Sequence, residues 1–130
     1  MQYSAYFVEE NDGVFSASIS KLELKKPADG FVQIKVSHSS LNYKDALSAS
    51  GNKGVTRNYP FVPGIDAAGI IADGNSSKFN EGEEVIVTGY DIGMNTPGGF
   101  GEYINVPVGC VVKKPSSLSS LEAMSIGTAG

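Results

Sequence analysis

The stretch from residue 60 to residue 72, PFVPGIDAAGIIA, decides the predicted fold. Pro63 and Gly64 are a turn signal, because proline presets φ and glycine adopts positive φ without a steric penalty. The run of small and apolar residues at 67–72 is short, which is typical of a strand rather than a helix. The sequence therefore predicts a sharp turn that leads into a strand.

Three more strands are predicted before this turn, at residues 3–10, 14–24 and 31–39. Asn11-Asp12-Gly13 separates the first two, and these residue types tolerate the positive φ of a hairpin turn. Alternation in the second strand predicts a half-buried strand whose apolar face carries Phe15, Ala17 and Ile19. Alternation in the third places Val32, Ile34 and Val36 on one face and Gln33 and Lys35 on the other.

Shorter elements are predicted after the third strand, on both sides of this turn. Residues 85–87, 103–107 and 111–113 are expected to be strands, and 89–101 is glycine-rich and irregular. Two short helices are predicted, one at 42–49 with Asn42 as N-cap, the other from a capping box at Ser119 and Glu122 toward Gly127. The predicted fold class is mostly β, an antiparallel barrel or sandwich with short helices.

Composition excludes several classes of protein. The 130 residues correspond to one domain, and the net charge of −4 without a basic stripe argues against a nucleic-acid partner. No apolar run approaches the roughly 20 residues that cross a membrane, and no secretory signal is visible. A single cysteine forms no internal disulfide, so a cytoplasmic setting is expected.

The residues also limit the chemistry. One cysteine, Cys110, and one histidine, His38, exclude a zinc site built from several Cys and His ligands. We expect His38 to be a hydrogen-bonded histidine near the core. Ser39 and Ser40 lack the orienting acid and the sharp exposed turn that a nucleophilic serine needs. No glycine-rich phosphate loop of the dinucleotide-binding or Walker type occurs.

The densest polar cluster is Asn42-Tyr43-Lys44-Asp45, at a strand-to-helix junction. Such junctions present side chains and free N–H groups to ligands, although plain helix capping explains the same residues. Lys53 and Arg57 are cations in a polar loop and suit a phosphate or carboxylate, but a solvated loop is the alternative.

Four segments resemble the catalytic domain of the medium-chain dehydrogenase/reductase superfamily: LNYKDA at 41–46, PFVPGIDAAG at 60–69, GEEVIV at 82–87 and GGFGEY at 98–103. The final residues, EAMSIGTAG at 122–130, fit as well. The branch that the sequence resembles is that of the zinc-free quinone oxidoreductases, in particular the acrylyl-CoA reductase-like group. Asn42 stands where the zinc branch has a ligand cysteine, and Ile65 where it has a ligand histidine.

The resemblance implies a GroES-like distorted β-barrel with short helices. Residues 1–118 would form the catalytic domain, and 119–130 would begin a helix toward a dinucleotide-binding Rossmann domain that these 130 residues lack. It implies NADPH as cofactor, bound mainly by that missing domain, and no zinc. The expected partners are a small-molecule substrate and the Rossmann domain of the same chain, and the parent enzyme would be a homodimer. The 130 residues alone are expected to be inactive.

The implied reaction is hydride transfer to an α,β-unsaturated acyl-CoA or a quinone. By resemblance, Tyr43, Asn42 and Asp45 are the catalytic residues, although Asp45 and Asp66 stand at positions that usually organise the site. The cofactor-binding residues would be Asn42, Tyr43, Lys44 and Thr128. The substrate-binding residues would be Lys53, Arg57 and Asp66. The alternative is a non-enzymatic GroES-like module that binds a partner or acts as a scaffold.

Overall fold

The computed structural model describes residues 2–40, 45–46, 49–50, 61–75, 77–88 and 98–126. These residues form strands β1 (Gln2–Asn11), β2 (Val14–Glu23), β3 (Phe31–Ser39), β4 (Asp66–Asp73), β5 (Glu84–Thr88), β6 (Tyr103–Pro107) and β7 (Val111–Lys113) and helix α1 (Ser120–Ile126). Every strand pairing among them is antiparallel, which confirms the predicted mostly-β, antiparallel architecture.

The strands form two sheets. β1 and β2 form a hairpin, and the larger sheet has the order β6-β3-β4-β5-β7 and curls into a half-barrel. The concave side of the larger sheet holds the main core, since inward-facing side chains alternate along each strand. That core consists of Val32, Ile34, Ile71, Phe79, Val85, Val87, Ile104, Val106 and Val111.

The hairpin turn is where the sequence predicts it. Asn11 pairs with Val14, and the two residues between them have positive φ, +52° at Asp12 and +80° at Gly13. Two consecutive residues with positive φ match the twist of the flanking strands, and Asp-Gly is a residue pair that adopts this conformation readily. The prediction of a hairpin at residues 11–13 is confirmed.

The half-buried face predicted for β2 is wrong. Ile19 is 73% exposed, Ala17 is also exposed, and Phe15 is only partly buried. The reason lies on the far edge of β1, where Ala5 bridges Gly101 and Val8 bridges Phe61. The rest of the domain joins the hairpin along β1, so β2 becomes its outer strand.

Gln33, which the alternation of β3 places on the face opposite Val32 and Ile34, is nevertheless only 8% exposed. Its Nε2 donates to the carbonyl of Lys25 at 3.0 Å and to Oδ1 of Asn105 at 3.2 Å. Asn105 donates to the same Lys25 carbonyl at 3.1 Å. The chain between β2 and β3 therefore contacts this face of the sheet, and hydrogen bonds compensate the burial of the amide.

Helix α1 begins at the predicted capping box. Ser119 N–H donates to Oε1 of Glu122 at 3.0 Å, and Glu122 N–H donates to Oγ of Ser119 at 3.1 Å. Each side chain satisfies one of the N–H groups that a helix start leaves without an intrahelical partner. On its inner side, Ala123 and Met124 pack against Ala68 of β4.

The division of the chain at residues 118 and 119 stays a prediction. Among the described residues, no helix has the length and apolar character needed to cross a membrane.

A second polar contact closes the turn that precedes β3. Asn75 has φ of +48°, and its Nδ2 donates to the carbonyls of Ala28 at 2.8 Å, Phe31 at 3.1 Å and Pro27 at 3.3 Å. Asparagine tolerates this left-handed backbone better than most residues. One side chain therefore ties the turn after β4 to the turn before β3.

Replacing Asn75 is expected to destabilise the domain. Asn75→Ala loses the amide donors and puts alanine, which tolerates positive φ less well than asparagine, at this position. The free energy of unfolding should therefore fall by about 2 kcal/mol. Asn75→Gly adopts this φ without strain, and its free energy of unfolding should fall by only about 1 kcal/mol. This smaller loss measures the contribution of the hydrogen bonds alone. Urea unfolding followed by circular dichroism measures both. Two variants as stable as the wild type would contradict this role.

The capping box predicts a pH dependence. The hydrogen bonds from Ser119 lower the pKa of Glu122 below its ordinary value of 4.5. A lowered native pKa means that the charged form stabilises the fold at neutral pH, and that this stabilisation is lost as the pH falls through the native pKa. The difference in unfolding free energy between wild type and Glu122→Gln should therefore be largest near neutrality and shrink in acid. A difference that is constant with pH would contradict the prediction.

Candidate active site

Two segments meet backbone to backbone at the centre of the domain. Gly98 N–H donates to the carbonyl of Val62 at 2.7 Å, Gly99 N–H to that of Gly64 at 2.8 Å, and Phe100 N–H to that of Pro63 at 3.0 Å. We call this pair of segments, residues 62–64 and 98–100, the glycine junction. It joins the turn before β4 to the segment before β6.

The glycine junction leaves no room for a Cβ at Gly64 or Gly99. Gly64 has φ of +108°, and a Cβ there would lie 2.7 Å from the nitrogen of Phe100. A Cβ on Gly99 would lie 2.8 Å from the carbonyl oxygen of Asp66 and 2.9 Å from Cβ of Ala67. Contacts this short with backbone atoms require the chain to move, so both glycines are needed. The turn predicted at Pro63 and Gly64 is confirmed.

The junction also anchors β1. Tyr6 N–H donates to the carbonyl of Phe100 at 2.8 Å, and Val8 N–H donates to that of Phe61 at 2.9 Å. The Tyr6 and Phe100 side chains line a cavity of about 410 Å³ together with Asp45, Ala46 and Ala49. Apolar and aromatic walls with few polar groups are common in small-molecule sites, so this cavity suits the apolar part of a ligand.

Asp45 connects the predicted helix at 42–49 to the junction. Asp45, Ala46 and Ala49 are helical, and the rest of that predicted helix lies outside the described residues. The Asp45 side chain is buried, at 2% exposure. Its Oδ1 accepts hydrogen bonds from Gly64 N–H at 3.2 Å and Ile65 N–H at 3.1 Å. One carboxylate oxygen therefore holds the turn that makes up half of the junction.

Two serines that sequence reasoning set aside as nucleophiles hold the chain just before the Asn42–Asp45 cluster. Ser39 Oγ donates to the carbonyl of Gly99 at 2.6 Å. Ser40 Oγ donates to the carbonyl of Met124 in α1. The only sequence signal for these roles is that both hydroxyls directly precede the polar cluster.

Most of the predicted site residues lie outside the described part of the chain: Asn42, Tyr43, Lys44, Lys53, Arg57 and Thr128. Their roles stay predictions, as does the catalytic role of Asp45. Asp66 is described and is fully buried, at 0% exposure, at the start of β4. Its predicted contact with substrate stays a prediction as well.

His38 is half-buried beside the break in pairing between Val36 and His38 of β3. Its Nδ1 lies 3.0 Å from Oγ of Ser37, which donates its own hydrogen to the carbonyl of Ala68 at 3.2 Å. A hydroxyl has one hydrogen, so Nδ1 of His38 is the donor in the first contact. The histidine is therefore hydrogen-bonded, as expected, and partly buried.

The histidine and the cysteine of the sequence lie far apart. Cys110 follows β6, whose Pro107 pairs with Phe31 at the start of β3, whereas His38 is near the end of β3. Seven residues of strand separate these ends by roughly 23 Å. Cys110 packs against the main core, and burial raises the pKa of its thiol. Across the described ranges, no group of three or more His, Cys, Asp or Glu residues could hold a metal ion.

The curled antiparallel sheet is that of a GroES-like domain. Residues 28–116 match the family model described as the alcohol dehydrogenase GroES-like domain, and the chain belongs to this family. The match confirms the GroES-like fold and the resemblance to medium-chain dehydrogenases/reductases.

Three relatives illustrate the branch. A probable acrylyl-CoA reductase AcuI of Escherichia coli is 40% identical over 97% of this chain. A putative quinone oxidoreductase YhfP of Bacillus subtilis is 41% identical over 98% of this chain. The crystal structure of the yhdH oxidoreductase from Salmonella enterica, in complex with NADP, superposes with a TM-score of 0.90 at 41% identity over 97% of this chain. This chain spans 39% of the length of each of the three.

The glycine junction predicts unequal tolerance of glycine substitutions. Gly99→Ala should lower the free energy of unfolding by about 3 kcal/mol, because its Cβ meets backbone atoms that cannot rotate away. Gly109→Ala is the matched control, since a Cβ there meets nothing within 4 Å, and it should change stability by less than about 0.5 kcal/mol. Equal stability of the two variants in urea unfolding would contradict the steric argument.

Proposed function

We propose that the complete protein is an NADPH-dependent, zinc-independent reductase that transfers hydride to an α,β-unsaturated acyl-CoA or a quinone. The observation that carries the proposal is the hydrogen bond from Ser40 to Met124. Asn42 lies two residues after Ser40, and Thr128 lies four residues after Met124. Two predicted cofactor-binding residues, Asn42 and Thr128, are therefore close in sequence to two residues that are in contact.

The predicted cofactor-binding residues have side chains that suit a nicotinamide dinucleotide. Asn42 and Thr128 offer amide and hydroxyl groups for a carboxamide, and Lys44 offers an ammonium group for a phosphate. The comparison with an NADP-bound oxidoreductase at 41% identity supports the same cofactor. When bound, NADPH supplies the hydride.

The protein's own contribution is electrostatic. An α,β-unsaturated thioester or a quinone that accepts hydride develops negative charge on its carbonyl oxygen. The phenol of Tyr43 and the amide of Asn42 would donate hydrogen bonds to that oxygen, so the site stabilises the charge where it forms. Both acceptors are already polarised, and neither requires a Lewis acid as an unactivated alcohol does.

Zinc independence is proposed from side-chain chemistry. Ile65 stands where the zinc branch has a ligand imidazole, and it is buried at 2% exposure against the junction. An alkyl side chain offers no lone pair to a metal. The sequence supplies one histidine and one cysteine, which lie near opposite ends of β3. A tetrahedral zinc site needs three or four protein ligands.

The substrate class follows from two further predictions. Lys53 and Arg57 are proposed to hold the phosphates of a CoA tail, and the cavity beside Asp45 would take the apolar acyl group or quinone ring. The probable acrylyl-CoA reductase and the putative quinone oxidoreductase among the relatives support the two acceptor classes equally.

The test is NADPH oxidation by the complete protein with acrylyl-CoA and a simple quinone in parallel. We expect turnover, and we expect Lys53→Ala and Arg57→Ala each to raise KM for the thioester by about tenfold without changing KM for the quinone. Lys113→Ala is the matched control, because Lys113 is 75% exposed and pairs with Glu83 on the surface.

The outcomes separate the parts of the proposal. No turnover of either acceptor would overturn the reductase assignment. Equal KM values for wild type and the two loop variants would remove the CoA tail from the proposal. Stoichiometric zinc in the purified protein, measured by elemental analysis, would overturn zinc independence.

A further inference from the structure

Strand β2 has an outer edge to which no other described strand is paired. β2 pairs with β1 on its inner side, without a break in register over ten residues. An open edge presents backbone N–H and C=O groups that attract further strands, and proteins usually protect such an edge by shortness, proline, bulges or charge. β2 contains no proline and no bulge, and its middle, residues 16–20, carries no charge.

The two edges of the larger sheet have the protection that β2 lacks. β7, at one end of that sheet, has three residues, ends at Lys113 and is followed by Lys114. β6, at the other end, has five residues and ends at Pro107. The unprotected length of β2 therefore indicates that a partner strand covers it in the complete protein.

The hydrogen bonds of β1 show which backbone groups of β2 face the outer edge. Tyr6 and Val8 donate their N–H groups to segments on the far side of β1, so the even-numbered residues of β1 face away from β2. Backbone groups alternate along a strand, and the odd-numbered residues of β1 therefore bond to β2. The register pairs those residues with even-numbered residues of β2. The N–H and C=O groups of Ala17, Ile19 and Lys21 consequently point to the outer edge.

The charges of the hairpin indicate the direction of the partner strand. The charges near the turn are all negative, and those at the other end are mainly positive. The first group is Glu9, Glu10 and Asp12, and the second is Lys21, Glu23, Lys25 and Lys26. If a second copy of β2 runs antiparallel to the first, the negative end of each hairpin lies beside the positive end of the other. Unlike charges across an interface favour this orientation, and like charges disfavour the parallel one.

We propose that β2 is a self-association edge, to which a second copy of this chain adds its own β2 antiparallel across a two-fold axis. Odd-numbered residues must lie opposite odd-numbered ones, because these carry the outward backbone groups. In one such register Ser18 lies opposite the partner's Ser18, Ala17 opposite the partner's Ile19 and Ser16 opposite the partner's Ser20. Apolar side chains then meet apolar ones and hydroxyls meet hydroxyls, which stabilises cross-strand pairs. The contact also covers Ile19, which is 73% exposed in the single chain.

Neighbouring registers match less well. A shift by one residue turns the outward backbone groups of one copy toward inward ones of the other. A shift by two residues places Ala17 opposite the partner's Lys21 in one direction, or Val14 opposite the partner's Ser20 in the other. Each of these pairs an apolar side chain with a polar one, so the register with Ser18 on the axis is favoured.

Cysteine cross-linking of the complete protein tests this register. Ser18 and the partner's Ser18 would form a non-hydrogen-bonded pair with Cα atoms about 4.5 Å apart, which a disulfide can span. Ser18→Cys should therefore form a disulfide-linked dimer with oxidised glutathione as the oxidant. Ser16→Cys is the matched control, since Ser16 is exposed on the same face of β2 but would lie roughly 14 Å from its own copy. Gel electrophoresis without reductant should show at least about tenfold more dimer for Ser18→Cys.

Two substitutions in the Ser18→Cys background test whether the edge itself is needed. Ala17→Pro removes an outward N–H and no hydrogen bond to β1, and proline is tolerated at such edge positions. Ile19→Lys leaves the backbone unchanged and places two lysines diagonally across the axis, where like charges repel. Each should reduce the cross-linked dimer to the amount seen with Ser16→Cys. A yield that neither substitution lowers would contradict the proposal.

Amide hydrogen exchange of the wild type identifies what covers the edge. Exchange at Ala17, Ile19 and Lys21 should slow as the protein concentration rises, because the partner strand belongs to a second molecule. Protection that is the same at every concentration would show that another segment of the same chain covers the edge, and fast exchange throughout would show that nothing does. Either result, or equal cross-linking of Ser18→Cys and Ser16→Cys, overturns the proposal. None of these measurements depends on the reductase assignment.

Discussion

The close approach of two backbones at Gly64 and Gly99 is the constraint on which the domain depends. Three hydrogen bonds join these segments, and no Cβ fits between them. The contact connects the strand that enters the sheet at Asp66 with the segment that enters it at Tyr103. β1 also bonds to this contact through Tyr6 and Phe100, which helps to tie the hairpin to the larger sheet. Elements far apart in sequence therefore meet at a point where only glycine is small enough.

The site is built outward from that contact. Ser39 reaches the carbonyl of Gly99, and Asp45 reaches the nitrogens of Gly64 and Ile65. Each of these side chains holds backbone, and in the sequence Asn42, Tyr43 and Lys44, which are expected to meet ligand, come between Ser39 and Asp45. A reductase that stabilises charge with hydrogen bonds rather than with a metal needs donors in a fixed orientation, because they act on a developing charge only when they are already oriented. Rigidity near the junction thus serves the proposed chemistry directly.

Sequence reasoning succeeded where the signal is local. The Asp12-Gly13 turn and the Ser119–Glu122 capping box follow from residues a few positions apart, and both are present. It failed where long-range packing decides. Nothing within β2 shows that the rest of the domain joins the hairpin along β1 and leaves Ile19 exposed, and nothing within β3 shows that the chain at Lys25 will cover Gln33. Ser40 was missed for the same reason, since its partner is 84 residues away.

The Asn75 contact has a consequence for producing the protein. Asn75-Ser76-Ser77 is an acceptor sequence for N-linked sugar, and the sugar would attach to the Nδ2 atom that donates to three carbonyls before β3. Attachment leaves that nitrogen with a single hydrogen, and the bulky glycan would compete for the space between two turns. In a eukaryotic secretory host, glycosylation and folding would therefore oppose each other at one atom. Bacterial cytoplasmic expression avoids this conflict.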